Sequence, residues 1–133
     1  MRSQPRQLVV DASSMTALLL DAEAGEHELV SGAQLIAPSV LPYEVANVLR
    51  RLSLAGRLSA ADAEQAFDDF SALAVEVWDW ATISARAWSL RANLSSYDAA
   101  YVALAELVDA TLLTRDARLA RAPGVGCRVE LFN

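Results

Sequence analysis

Short apolar runs that alternate with helix-like stretches constrain this chain more than any other feature. Leu8-Val9-Val10, Gln34-Leu-Ile-Ala-Pro38 and Thr111-Leu-Leu-Thr114 are brief and almost wholly apolar, so they read as strands buried on both faces. Val75-Glu-Val-Trp-Asp-Trp80 alternates apolar and polar residues like a strand with one wet face, and residues 127–132 close the chain as a fifth strand. Between these runs the spacing changes to a helical one. Asp11 caps a helix over 12–20, and a short helix is predicted over 26–31. Ser39 or Pro42 opens a longer helix that reaches Arg51 and Leu54, carries Val45, Val48, Leu49 and Leu52 on one face, and stops at Gly56. Ser59 starts its hairpin partner, which carries Ala66, Phe67, Phe70 and Leu73. Residues 81–94 read as helical with Ile83, Ala87 and Leu90 inward, and after a break at 93–96 comes the alanine-rich helix 97–106. One or two helical turns over 116–122 and the turn Pro123-Gly124-Val125-Gly126 precede the last strand.

Strands and helices in alternation predict an α/β sandwich whose mainly parallel sheet is covered on both faces. Strand order does not follow from the pattern. With 133 residues, 54% of them hydrophobic, one domain spanning 1–133 is expected. No stretch approaches the roughly 20 apolar residues of a membrane span, and no apolar signal core precedes the first strand, so a soluble, cytoplasmic protein without a membrane partner is expected.

Composition removes several kinds of chemistry. Cys127 is the only cysteine, which forbids an internal disulfide, argues against a cysteine-based zinc site and leaves a buried reduced thiol as the plain reading. His27 is the only histidine, which argues against a histidine-pair metal site or a Ser-His-Asp triad. All 11 basic residues are Arg, so no mechanism can use a lysine. The net charge of −6 opposes broad grip on nucleic-acid phosphates. A hydrolase whose carboxylates are neutralised by cations escapes that objection.

Four carboxylates stand where such a site would form. Asp11 directly follows the first strand and Asp116 lies two residues past Thr114, at strand ends where parallel sheets build their sites. Each is also a plain helix cap. Glu44 borders the apolar face of its helix and needs a partner, for which Arg51 is a candidate, or else it favours the helix N-terminus. Asp98 lies three residues after Ser95, which allows a variant capping box. Together, four such groups suit Mg²⁺ or Mn²⁺, which prefer oxygen ligands. Without a cation, their crowding would raise their pKa values.

The ordered segments Val9-Val10-Asp11-Ala-Ser13, Pro42-Tyr-Glu44-Val-Ala-Asn47-Val-Leu49, Tyr97-Asp98-Ala-Ala-Tyr101-Val-Ala-Leu-Ala-Glu106 and Leu113-Thr114-Arg-Asp116-Ala-Arg-Leu119 resemble the successive motifs of PIN-domain proteins. The nearest resemblance is to the bacterial VapC-type toxins. It implies a three-layer α/β/α sandwich and an Mg²⁺- or Mn²⁺-dependent endoribonuclease acting on single-stranded or looped RNA. Asp11, Glu44, Asp98 and Asp116 match the family's acidic quartet, Thr114 matches a hydroxyl that steadies the site, and Ser13 is a second candidate for that role. Asp11, Asp98 and Asp116 would be the first metal ligands, with Glu44 binding directly, binding through water or taking a proton. A homodimer and an antitoxin whose C-terminal segment blocks the pocket are implied as well. The competing reading is a catalytically inactive or signalling α/β domain working through protein–protein contact. A receiver-type signalling domain would need a lysine at a late strand end, and the chain has none. Trp78, Trp80 and Trp88 read as core or interface anchors, and Tyr97 and Tyr101 as packing or pocket-lining residues.

Overall fold

The structure is a computed structural model that describes residues 5–21 and 30–132. Strands β1 (Gln7–Val10), β2 (Gln34–Pro38), β3 (Val75–Trp78), β4 (Thr111–Thr114) and β5 (Val129–Leu131) form one sheet in the order β3-β2-β1-β4-β5. Every pairing is parallel, so the mainly parallel expectation becomes a wholly parallel sheet among the described residues. The three inner strands carry the apolar runs because both their faces are covered. The alternating segment forms an edge strand, β3, and the other edge, β5, is shorter than the predicted 127–132.

Helices α1 (Ala12–Leu20), α2 (Leu41–Leu54) and α3 (Ala60–Ala72) pack on one another. On the other side, α5 (Ser96–Leu107) lies against β1, β2 and β4, with α4 (Trp80–Ser89) against it, while α6 (Ala117–Arg121) packs on β5. The result is the three-layer α/β/α sandwich. Among the described residues no helix is long and apolar enough to cross a membrane. The helix expected over 26–31 falls largely, and His27 wholly, outside those residues.

α5 shows why alanine is dense there. Ala99 through Ala105 are all buried, with Tyr101 and Leu104 the largest among them, so small side chains let the helix lie close to the sheet. Ile83, Ala87 and Leu90 are buried as their spacing predicted. The helix expected over 81–94 ends at Ser89, because Leu90 caps it and the next residues turn back, with Asn93 and Leu94 donating to the Leu90 carbonyl.

Of the apolar residues that α3 carries, Phe67 and Leu73 are exposed, because α3 rests on α1 and α2 rather than on the sheet and fully buries only Ala66. Two apolar assignments are corrected. Trp80 and Trp88 are exposed, which removes the core half of their reading as core or interface anchors; Trp78 is half-buried, with its indole Nε1 unpartnered. Cys127 is half-buried rather than fully buried, and burial, followed by the nearby Glu106 charge, pushes its thiol up to about 11.

One polar fastener holds the C-terminal loop to the helices. Arg86 on α4 grips both oxygens of Glu106 on α5, at 2.6 and 3.0 Å, and also donates to the Gly124 carbonyl at 2.9 Å. The Gly126 amide donates to the same carboxylate at 2.7 Å. A Cβ at position 126 would meet that Glu106 oxygen at 2.7 Å, so any larger residue there would push the carboxylate out of its present place.

Arg86, and secondarily the Gly126 amide, hold the Glu106 carboxyl below its ordinary value of 4.5, against the effect of burial. A depressed carboxylate pKa stabilises the fold at neutral pH and loses that contribution as pH falls through the folded-state value. Arg86→Met should therefore cost up to about 1 kcal/mol at pH 7, since water screens this partly exposed pair. Denaturant melts should show the gap between wild type and variant closing as the pH is lowered beneath the ordinary glutamate range.

Candidate active site

The sheet order reverses between β1 and β4, since the chain builds outward from β1 through β2 to β3 and then crosses to β4 and β5. Parallel strands on either side of such a reversal leave a crevice beyond their carboxyl ends. Asp11 and Asp116 both stand there, because β1 and β4 end immediately before their segments.

Asp11 is buried, with 8% of its surface exposed, and caps α1 by accepting from the Ser14 amide at 2.9 Å. The Ser13 hydroxyl donates to the same oxygen at 2.6 Å, and the other oxygen accepts from the Thr114 hydroxyl. Thr114 is fully buried, and its oxygen also accepts from the Asp116 amide at 3.1 Å. The Arg115 amide donates to Ser13 at 3.1 Å, and Ser14 donates through its hydroxyl to the Leu113 carbonyl at 2.9 Å. The ends of β1 and β4 are thus laced together through Asp11 and its two serine neighbours.

Glu44 lies in the first turn of α2 and accepts from the Tyr101 hydroxyl of α5 at 2.6 Å. The expected Arg51 contact is absent from its bonds. Seven residues along a helix is a rise of roughly 10 Å, beyond easy reach, whereas Tyr101 comes from a facing helix. Burial raises the Glu44 pKa, Asp11 and Asp98 raise it further, and the Tyr101 bond partly opposes them. Asp98 sits in the first turn of α5, where its amide donates to the Ser95 hydroxyl at 3.2 Å. Burial raises its pKa too, followed by repulsion from Asp116 and Asp11. Asp116 caps α6 and is held below the usual carboxylate range by Arg118, which bonds its two oxygens at 3.3 and 3.0 Å.

The fold therefore draws Asp11, Glu44, Asp98 and Asp116 from four separate segments toward one end of the sheet, where Asp11 and Asp98 act on Glu44, and Asp11 and Asp116 act on Asp98. Asp98 and Asp116 line one hollow of about 490 Å³ together with Arg118, and Glu44 lines another with Tyr43, Asn47 and Tyr97. Among the described residues no three acid, histidine or cysteine side chains stand close enough to grip an ion jointly. That spread is what uncompensated like charges favour. The donors themselves are all carboxylate oxygens, a set that fits a hard divalent cation and no soft one. Sequence reasoning missed the roles of Tyr101 and Arg118. Tyr101 follows Asp98 by three residues, which puts both on one helix face, and Arg118 follows its capping Asp116 by two.

An all-parallel α/β/α sandwich with an acidic crevice at its switch point is the class that fold and site define. The chain belongs to the PIN-domain family, which matches residues 8–125. It is 41% identical over 125 residues to ribonuclease VapC9 of Mycobacterium tuberculosis, covering 93% of this chain and 97% of that protein. Ribonuclease VapC1 of the same organism is 37% identical over 133 residues, covering 94% and 97%. The VapBC2 crystal structure from Rickettsia felis, bound to a DNA fragment from its promoter, superposes with a TM-score of 0.73 at 14% identity, covering 96% of this chain and 99% of that one, and shares its fold.

Thr114→Val should expose the importance of the lacing. It removes a donor from buried Asp11 and an acceptor from the Asp116 amide, so it should destabilise the fold by about 1–3 kcal/mol, while Thr114→Ser should retain most of the stability. Chemical denaturation of the three proteins measures the difference.

Proposed function

We propose that Asp11, Glu44, Asp98 and Asp116 form the catalytic centre of an endoribonuclease that cuts single-stranded or looped RNA with Mg²⁺ or Mn²⁺. The observation that carries this reading is the electrostatic coupling of Asp11 to Glu44 and Asp98, and of Asp98 to Asp116, at the switch-point end of the sheet. The substrate class comes from relatives that are ribonucleases over nearly their whole length.

Asp11, Asp98 and Asp116 would hold the cation, with Thr114 and Ser13 fixing the Asp11 carboxylate through the bonds described above. When bound, a divalent ion makes a water more acidic and neutralises charge building on the phosphate. Glu44 is the carboxylate suited to take a proton, because burial, Asp11 and Asp98 raise its pKa above the ordinary glutamate value. Tyr101 keeps it oriented. Arg118 must release Asp116 for that carboxylate to act as a ligand, and so exposed a pair is readily broken. Attack by water rather than by the RNA 2′-hydroxyl suits a chain with a single histidine, since the latter route commonly employs two. The products would be a 5′-phosphate and a 3′-hydroxyl.

VapC ribonucleases are the toxins of toxin–antitoxin pairs, and the same reading gives this chain a cognate antitoxin and a homodimeric state. The pocket already receives one guanidinium, that of Arg118. An antitoxin arginine would engage these carboxylates in the same manner, since its planar fork matches two oxygens.

Calorimetric titration should detect Mn²⁺ binding by the wild type, with a raised melting temperature, and none by an Asp11→Asn, Asp98→Asn double variant. Asp98→Asn alone should abolish cleavage yet leave the metal-free melting temperature unchanged or higher, because it relieves repulsion. EDTA should arrest the reaction, and a 2′,3′-cyclic phosphate on the product would overturn the water mechanism. For the partner, replacing the C-terminal arginines of the protein encoded beside this gene should release nuclease activity from inhibition. Undiminished inhibition would exclude a guanidinium plug.

A further inference from the structure

Among the described residues that line the hollow of Asp98 and Asp116, Arg118 is the only basic one. Its guanidinium meets both oxygens of Asp116, with Nε donating to Oδ1 at 3.3 Å and Nη2 to Oδ2 at 3.0 Å. Asp98 lies near enough for its charge to act on the same guanidinium. The Arg118 side chain is nevertheless 86% exposed, against 29% for Asp116, so it reaches the acids from the solvent side.

Backbone and side chain of Arg118 hold Asp116 separately. The cap of α6 is made by the Arg118 amide, which donates to Asp116 Oδ1 at 2.9 Å. The guanidinium can therefore leave Asp116 without undoing the helix start, and an ion pair this exposed contributes little, so leaving costs little. A divalent cation on Asp116 would draw on the same lone pairs and compete with the guanidinium for them. Once displaced, the guanidinium offers a planar fork of donors that matches a phosphate as well as it matches a carboxylate.

We propose that Arg118 changes partners: it is the counter-ion of Asp116 while no cation is bound, and when a divalent cation takes Asp116 it turns to an RNA phosphate neighbouring the bond that is cut. This rests on the ribonuclease reading above and adds to it how the substrate is held. A chain of net charge −6 with no lysine has few groups with which to hold a phosphate, and at this hollow Arg118 is the basic side chain in place. The exchange also sets an order. Before the cation binds, the guanidinium is engaged by a carboxylate; afterwards it is free for RNA, so each of the two ligands favours the binding of the other.

The test uses the full chain, its Arg118→Gln and Arg118→Lys variants, Mn²⁺ and a short unstructured RNA whose cleavage position is first mapped on the wild type. Calorimetric titration without RNA should show Arg118→Gln binding Mn²⁺ roughly 2- to 5-fold more tightly than the wild type, because the competing cation is gone, with Arg118→Lys close to the wild type. Cleavage at saturating Mn²⁺ should show the opposite sign for RNA. There Arg118→Gln should raise KM roughly 10- to 150-fold with little change in kcat, and Arg118→Lys should fall between. An RNA carrying one uncharged methylphosphonate, moved along the strand and used as a competitor of the unmodified substrate, should lose affinity for the wild type at a position next to the cut bond and lose none there for Arg118→Gln. An arginine with a merely structural role would weaken both metal and RNA binding or neither. Equal or weaker Mn²⁺ binding by Arg118→Gln, an unchanged KM, a fall in kcat alone, or the same methylphosphonate profile for both proteins would each overturn the exchange while leaving the ribonuclease reading intact. A wild type that neither binds Mn²⁺ nor cuts RNA would defeat both readings together.

Discussion

The hydrogen bond from the Thr114 hydroxyl to Asp11 ties the carboxyl ends of β1 and β4 at the point where the sheet reverses its order. Much of the molecule's geometry is referred to that join. The same Asp11 carboxylate caps α1, so the direction in which α1 leaves the sheet is coupled to the position of β4. The Thr114 oxygen also takes the Asp116 amide, which places the start of α6 relative to the same carboxylate. An ionised carboxyl group has about four lone-pair sites, and three donors already occupy Asp11. A buried acid so committed can offer roughly one further position, which is a ligand held in one direction rather than a freely turning side chain.

The other three acids are not equivalent to it or to one another. Burial raises Glu44 and Asp98, with Asp11 and Asp98 adding to the first and Asp116 and Asp11 to the second, whereas Arg118 lowers the more open Asp116. Two carboxylates are thus raised by burial and like charge, one is anchored and one is paired to the exposed Arg118.

The placement of elements was legible from local pattern. The strand Thr111–Thr114 matches its run residue for residue, and the apolar runs at 8–10 and 34–38 lie in β1 and β2. Ser59 and Ser95 cap the helices that follow them, through the amides of Asp62 and Asp98. Where pattern failed, the cause was distance in space. Phe67 has helical spacing to Ala66 and Phe70 that suits an inward face, yet α3 lies too far from the sheet to use it. Trp80 and Trp88 have the hydrophobic area of core residues and are exposed all the same.

Periodicity and capping are properties of neighbours along the chain, so they suffice to put Asp11, Glu44, Asp98 and Asp116 at helix starts and strand ends. They carry no information about which strand lies beside which, because pairing of parallel strands is made between segments many residues apart. The order β3-β2-β1-β4-β5, the choice of Tyr101 over Arg51 as the partner of Glu44, and the gathering of Tyr43, Trp80 and Tyr97 around one groove were decided by packing alone. Each joins residues that no local rule relates, and the chain can bring them together only after its helices have closed over both faces of the sheet.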